Sequence, residues 1–432
     1  MTSGTDTGVL RPAGGGTPGW RRALSPRSAG VVYALVVLVA VLSISSSAQG
    51  RPAYLSDVNI SNILDQSALY GTLSVFMTIM LITGNFDLSV ASTAALSGTV
   101  ALKLVDGHGI AFALITALLV GVLVGLVNAV LVQKVGVNAF IVTLGTLTAV
   151  RGVVQAILDG QSITATNTGF HTFATARVIP DRGTAFAVGA VLVAAAVLVA
   201  VRAGRRPTRT GVELAVVGIV VLVVAAARPA LLNQSVPVWI MLAAALLAGA
   251  VLRYTVVGRN LYAVGGNPEA ARLSGINVDR YKMAAFVLNG AMAALVGVLY
   301  AGRFNSVDPT VLTGGELTVI AAAVLGGTSL FGGSGYVSKS VVGALILFTL
   351  SNGFNVLNIG SNYQNVVQGS VLVAAAALYT ASSSRGRSFV RARWSAMRGG
   401  QAGKAPQSEV VPPGAESQAP ARSSREARQT ID

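Results

Sequence analysis

Between residues 30 and 382 the chain is built from apolar runs separated by short polar breaks. The runs are roughly 16 to 24 residues long, the length that a helix rising 1.5 Å per residue needs to cross a hydrocarbon core. They fall near 30–48, 66–84, 88–104, 109–132, 139–158, 184–201, 211–227, 237–252, 283–301, 316–331, 340–357 and 364–382, which makes about twelve spans. The pattern predicts an all-α, polytopic transmembrane helix bundle. Residues 1–29 and 383–432 are rich in Gly, Pro, Ser and charge and carry no apolar period, so a disordered arm and a disordered basic tail flank the 30–382 membrane domain. The first run follows a long polar leader and shows no clear small-residue cleavage site, which reads as a retained span rather than a signal peptide.

Composition agrees with the pattern. Of 432 residues, 53% are hydrophobic and 11% charged, and the mean hydropathy is +0.67. A soluble enzyme of this size needs far more charge to cover its surface. The net charge of +15 comes from Arg and Lys in the tails and in particular loops, the distribution of a positive-inside membrane protein rather than a nucleic-acid binder. It places both termini in the cytoplasm, together with Lys134, Arg202, Arg253, Arg259 and the segment 264–282. The basic stretch after the last span suits anionic membrane lipid. With no cysteine and two distant histidines, His108 and His171, neither a disulfide nor a Cys/His metal site is available.

Two blocks of sequence occur twice in the same order. "DLSVASTAALSGT" at 87–99 aligns without gaps to "ELTVIAAAVLGGT" at 316–328, pairing Asp87 with Glu316 and Ser89 with Thr318. Asn128, Gly136, Asn138 and Gly145 have the spacing of Asn352, Gly360, Asn362 and Gly369. The copies, about 56–158 and 267–382, start an odd number of spans apart, which predicts an inverted repeat with the substrate path at its interface. Spans from about 184 to 254 have no counterpart in either copy and read as an insertion.

Polar residues inside apolar runs are the candidates for a translocation path. In "TGNFDLSV" (Thr83–Val90), Gly84 and Asn85 interrupt an apolar stretch. Asn85 suits the cap of the next helix and Asp87 its N-terminal dipole. A broken helix lining a hydrophilic cavity explains the same residues, and the two readings are compatible. In "TGGELTV", Thr313 and Glu316 have capping-box spacing. Arg151 lies two thirds of the way along its span, either snorkelling outward toward Asp159 or serving as a polar path residue. The candidate path set is Asn85, Asp87, Ser89, Arg151, Glu316, Thr318 and Asn352. "GSGYVSKS" at 333–340 only mimics a phosphate-binding loop, since Ser338 stands where the motif needs Gly. ATP chemistry therefore belongs to another subunit.

The segment "VGGNPEAARLSGINVDRYK" (264–282) is polar amid apolar neighbours. Asn267 suits a helix cap, Pro268 the first helical position, Glu269 the first turn and Gly275 the end, so a compact helix is predicted. This segment, with "GNFDLSV", "FIVTLGTLTAVRG" and "GGELTVIAAAVLGGTSLFGG", resembles the permeases of bacterial ABC sugar importers of the ribose/xylose type over roughly residues 56–382. The extra spans between the repeats are most similar to the xylose-type members. Ala91-Ser92 and Phe86 depart from the Gly-Ser and Ile common in that family.

The resemblance implies a type II importer-like fold that pairs with a second permease copy. It also implies ATP-binding subunits below, which use ATP and Mg, and a periplasmic or lipid-anchored sugar-binding protein above. This chain would bind no cofactor and catalyse nothing. Asn267, Pro268, Glu269, Ala270, Ala271, Arg272, Leu273, Ser274 and Gly275 would form the loop that couples to the ATPase. An ion-coupled secondary transporter is the alternative, but it usually keeps ionisable residues deep in its spans and leaves that loop unexplained. A membrane enzyme lacks any cluster of His, Cys or paired carboxylates.

Overall fold

The computed structural model describes residues 26–360 apart from Ile179 and residues 203–208, together with Tyr363, Val366, Gly369, Ser370 and Val373. Most of the predicted arm, most of the last expected span and the basic tail lie outside the described residues, as does Asn362 of the repeat.

The described chain is overwhelmingly helical, with four two-residue strands forming two antiparallel pairs. In order come α1 (Pro26–Ala48), α2 (Asp57–Ile82), α3 (Val90–Gln133) and α4 (Ala139–Leu158). They are followed by β1 (Ile163–Thr164), α5 (Thr168–Thr175), β2 (Arg177–Val178), α6 (Arg182–Arg202) and α7 (Arg209–Ala227). After a 3₁₀ turn (Pro229–Leu232) come β3 (Gln234–Ser235), α8 (Val236–Tyr254), α9 (Val256–Gly266), α10 (Pro268–Leu273) and α11 (Val278–Phe304). The last elements are β4 (Ser306–Val307), α12 (Gly315–Leu325) and α13 (Val337–Val356).

Among the described residues, seven helices are long and apolar enough to cross a membrane: α1, α3, α4, α6, α8, α11 and α13. Side chains such as Leu119, Val191 and Leu246 point outward from them, as expected where lipid is the solvent. Two expected spans, 88–104 and 109–132, are the two limbs of α3. They meet at Gly109 (φ 80°, ψ 169°), a backbone region that essentially only glycine enters. Asp106 beside this turn accepts hydrogen bonds from the Thr166 and Asn167 amides at 2.9 and 2.8 Å, which ties the turn to the segment before α5. The expected span 316–331 is an 11-residue helix, α12, followed by a glycine-rich loop.

The centre of the bundle is the pairing of α3 with α11. An added Cβ at Gly98 would sit 2.7 Å from the Gly297 carbonyl oxygen, and one at Gly125 2.6 Å from that of Phe286. A Cβ at Gly297 would overlap the Ala94 carbonyl, and Gly121 and Gly290 exclude each other's Cβ in the same way. The helices touch backbone to backbone, which small residues permit where lipid offers no hydrophobic drive for association. Gly98 lies by Gly297 and Ala301 whereas Ala94 lies by Gly297, so the first limb of α3 runs parallel to α11. Gly121 lies by Gly290 and Gly125 by Phe286, so the second limb runs back.

Other contacts fix the remaining directions. The α2 start meets the α11 end, where Arg303 donates to the Asp65 carbonyl, and the α2 end lies by Gly265, ahead of α11. Asn59 meets Asn352 at one end of α2, and Thr78 donates to Ser340 Oγ at 2.6 Å toward the other. Thus α2 is antiparallel to both α11 and α13. Gly343 lies on Ala322 and Gly326 on Ser340, so α12 runs against α13. The bundle has two ends: one carries Tyr54, Asp106, α5 and the strands, the other Lys134, α9 and α10.

The stretch expected as an insertion divides in two. α6 and α7 pack on each other, with Gly189 against Gly218. α8 enters the core, where the Met241 side chain fills the space beside Gly71 of α2. Near the Tyr54 end, buried Asp65 accepts from Arg177 Nη2 at 2.7 Å and Ser235 Oγ at 2.6 Å, which binds β2 and β3 to α2.

Gly297→Leu is expected to abolish a monodisperse peak in detergent size exclusion, because a leucine there must displace backbone, an overpacking cost of roughly 1–3 kcal/mol or more. Gly249→Leu, where nothing lies within 4 Å of an added Cβ, is expected to elute as the wild type.

Candidate functional site

The segment 267–275 folds as its sequence predicts. Asn267 is the N-cap of α10, its Oδ1 accepting from the Ala270 amide at 3.0 Å, with Pro268 at the first position and Glu269 in the first turn. Ser274 Oγ donates to the Ala270 carbonyl at 2.9 Å, and Gly275 leaves the helix at φ +79°. Ala271 alone among the nine is buried, resting on a patch of Val264 and Val278 with Ile276 and Tyr281 beside it. Glu269, Ala270 and Arg272 face outward, and Leu273 is 87% exposed. Arg272 Nη2 donates to Asp279 Oδ1 at 2.9 Å, and Lys134 lies 3.9 Å from the other oxygen of that carboxylate. Such exposed pairs are worth little individually; here they orient the segment against the ends of α3 and α11.

The base of α10 is locked to two other segments. A Cβ at Gly265 would overlap the carbonyl of Ile82, the last residue of α2, and the Gly333 amide donates to that same carbonyl at 2.9 Å. From α9, Tyr262 Oη donates to the Gly335 carbonyl at 2.9 Å. Burial pushes the Tyr262 phenol above its ordinary pKa, with Tyr336 adding to the shift, so it remains a proton donor at neutral pH.

The break between α2 and α3 holds a chain of buried side-chain hydrogen bonds. Asp87 Oδ1 accepts from the Ser89 amide at 3.0 Å and from Ser89 Oγ at 2.6 Å, and Oδ2 accepts from Asn289 Nδ2 at 2.8 Å. Ser89 Oγ in turn accepts from Asn128 Nδ2 at 2.9 Å, and Asn128 Oδ1 accepts from Thr146 Oγ1 at 2.7 Å. Asp87, Ser89, Asn128 and Asn289 are all at most 2% exposed. The chain joins the break to both limbs of α3, to α4 and to α11. Asn289 Oδ1 is buried with no hydrogen-bond partner, an open acceptor at membrane depth.

The other expected path residues lie elsewhere. Asn85 does not cap α3: it is buried and donates to Thr83 Oγ1 at 3.2 Å, while Ser89 occupies the cap position and Asp87 serves its amide. Arg151 reaches the chain ahead of α12, Nη1 donating to the Val311 carbonyl at 2.6 Å, rather than pairing with Asp159. The fold sets a carbonyl acceptor beside this half-buried guanidinium. The Thr313–Glu316 capping box does not form, because Gly314 at φ +79° is the N-cap and Thr313 Oγ1 donates to the Thr310 carbonyl. Glu316 Oε2 is left buried without a hydrogen-bond partner, and Thr318 is half-buried on the same helix. Asn352 donates to Asn59 Oδ1 at 2.9 Å near the Tyr54 end, apart from the Asp87 chain.

Sequence reasoning missed Asn289 and Thr146. An Asn within the apolar run "AAFVLNGAMAAL" was the available signal, since an amide at membrane depth needs a partner. No group of His, Cys, Asp or Glu able to hold a metal occurs among the described residues.

Residues 59–376 match the family described as branched-chain amino acid transport system / permease component. The chain is 37% identical over 345 residues to the ribose import permease protein RbsC of Escherichia coli, covering 80% of this chain and 91% of that one. It is 35% identical over 367 residues to the xylose transport system permease protein XylH of Escherichia coli, covering 82% and 93%. The ribose import permease protein of Bacillus subtilis is 34% identical over 350 residues, covering 80% and 90%. No solved structure matches the chain.

Asn289→Leu strips the buried Asp87 carboxyl of one of its donors. The variant is expected to lose roughly 1–3 kcal/mol, the cost of leaving a buried acceptor without one of its hydrogen-bond donors, and to show a lower thermal unfolding midpoint in detergent. An unchanged midpoint would show that Asp87 does not depend on Asn289.

Proposed function

Because the chain belongs to the branched-chain amino acid transport system / permease component family, we propose that it is the permease subunit of an ATP-driven ABC importer that carries a monosaccharide into the cell. The family title covers amino-acid permeases as well, and it is the ribose and xylose permeases, matched over nine tenths or more of their length, that favour a sugar, a pentose foremost. Their identities of 37% and 35% favour neither sugar over the other. The chain is a multi-pass integral membrane protein and a transport subunit. ATP and Mg are used by separate ATP-binding subunits, and this chain binds no cofactor of its own. A sugar-binding protein, periplasmic or lipid-anchored, delivers the sugar, and a second permease copy completes the pathway in the bacterial inner membrane.

The observation that carries this reading is a capped polar helix projecting from an apolar bundle in a chain with no nucleotide-binding motif. Asn267 to Gly275 dock on the ATPase, with Glu269, Arg272 and Leu273 on the contacting face. That end is cytoplasmic, and so are both termini, in keeping with Lys134, Arg253 and Arg259 beside it. Movement of the docked loop shifts the balance between inward- and outward-open states, and the driving energy is the ATPase's differential affinity for the two.

An inverted repeat is supported by helix directions. α2 and α11 open the two copies and run oppositely. The first limb of α3 runs parallel to α11 and α12 runs against it, while the second limb of α3 and α13 are likewise opposed. In this scheme Asp87 and Glu316 begin corresponding helices, and an unpartnered acceptor lies beside each break, Asn289 Oδ1 next to Asp87 and Glu316 Oε2 on α12, both supplied by the second copy. Asn85, Ser89, Arg151, Thr318 and Asn352 complete the candidate path. These open acceptors suit the hydroxyl donors of a sugar.

Glu269→Lys is expected to cut uptake of labelled ribose or xylose at least tenfold and to abolish retention of the ATPase on purification, with membrane insertion unchanged. Uptake at the wild-type level in this variant would contradict the docking role. Glu269 is a cleaner test than Arg272→Glu, which also sets a new carboxylate against Asp279.

A further inference from the structure

The loop between α12 and α13 carries Phe331, which is 91% exposed. It is not a slack segment. The Ser329 amide donates to the Ser334 carbonyl at 2.9 Å, closing a six-residue ring, and inside that ring the Phe331 amide donates to Ser329 Oγ at 3.1 Å. Gly332 and Gly333 follow at φ +83° and +72°, conformations that hold the phenyl ring at the tip on a defined backbone.

The same two glycines are pressed against the root of α10. A Cβ at Gly332 would lie 2.6 Å from the Gly265 carbonyl oxygen, and one at Gly333 would lie 2.7 Å from Gly266 Cα. Pro268, the first residue of α10, is two residues beyond Gly266. The Gly333 amide on Ile82 and the Tyr262 hydroxyl on Gly335 hold the loop at two further points. Phe331 and Leu273 are thus two almost fully exposed large apolar side chains at one end of the bundle, on segments joined backbone to backbone.

We propose that Phe331 is a second anchor for the ATP-binding subunit, held at a fixed offset from the docking helix by the contact of Gly332 and Gly333 with Gly265 and Gly266. This rests on the importer reading above. The occupant is the ATPase because the loop is continuous with the docking segment, and the required complement is an apolar recess beside the groove for α10. An exposed ring on a preorganised loop is the arrangement of an interface anchor, because the backbone that carries it is already ordered before binding. The two-point seat also gives the ATPase a direct hold on the loop that ends α12 and, through Ile82, on the break before α3. Displacement of one docked surface then reaches both breaks together.

The test uses the full chain in nanodiscs and the ABC ATPase of its own importer, purified separately, with the dissociation constant measured by titration. Phe331→Ser is expected to weaken binding about tenfold, or about 1.4 kcal/mol, while Phe331→Leu stays within about twofold of wild type. Because the ring is exposed, neither change disturbs the core. A Phe331→Ser chain that binds as tightly as wild type overturns the proposal and leaves the importer reading standing, whereas a wild-type chain that binds no ATPase overturns both. A Phe331→Trp chain whose native Trp20, Trp239 and Trp394 are each replaced by Phe separates protein from lipid as the occupant. Its emission should be quenched by iodide in empty nanodiscs and protected once the ATPase is added. Quenching by brominated lipid before the ATPase is added would place the ring in the membrane and overturn the proposal.

Discussion

The backbone contact between α3 and α11 is the constraint on which the rest depends. Gly98, Gly121, Gly125, Gly290 and Gly297 let two helices approach closer than any side chain allows. In lipid, that approach supplies packing that hydrophobicity cannot. Both limbs of α3 lie along α11, one in each direction, so a single helix templates the hairpin that Gly109 turns. Asn289 is the neighbour of Gly290 on α11, and the close approach is what brings its amide to Asp87 across the break. A wider helix pair would leave that carboxylate buried without its partner.

The two polar features of the molecule follow from the same frame. At the break, five side chains from four segments share one chain of hydrogen bonds, which makes an interrupted backbone tolerable inside the bundle. At the far end of α2, the Ile82 carbonyl is shared between the close approach of Gly265 and the amide of Gly333. The break, the loop after α12 and the root of α10 therefore meet at one glycine-rich point. The proposed docking surface on α10 lies close along the chain to this point.

Much of this was legible in the sequence where the signal is local. Apolar length placed most of the long described helices, and Asn267, Pro268, Glu269 and Gly275 announced α10 because caps, prolines and terminal glycines act within a few residues. Signals that depend on tertiary partners were misread. Thr313 has the spacing of a cap, yet Gly314, which tolerates a positive φ, takes that place. For Arg151 the sequence offered Asp159 as the partner of a snorkelling side chain, beside the reading as a polar path residue, whereas the carbonyl it reaches, Val311, lies 160 positions away. Asn289 and Phe331 were present as an amide in an apolar run and a phenylalanine among glycines. Only the fold shows that one completes the Asp87 hydrogen-bond chain and the other stands beside the root of α10.

The central claim is that this chain moves a sugar with energy received from outside itself. It is tested most directly by reconstituting the chain in liposomes with its ATP-binding subunit and its sugar-binding protein, and following labelled ribose and xylose. The account predicts accumulation that requires ATP and all three components and is indifferent to proton or sodium gradients. Accumulation by the chain alone, driven by an imposed ion gradient, would contradict it.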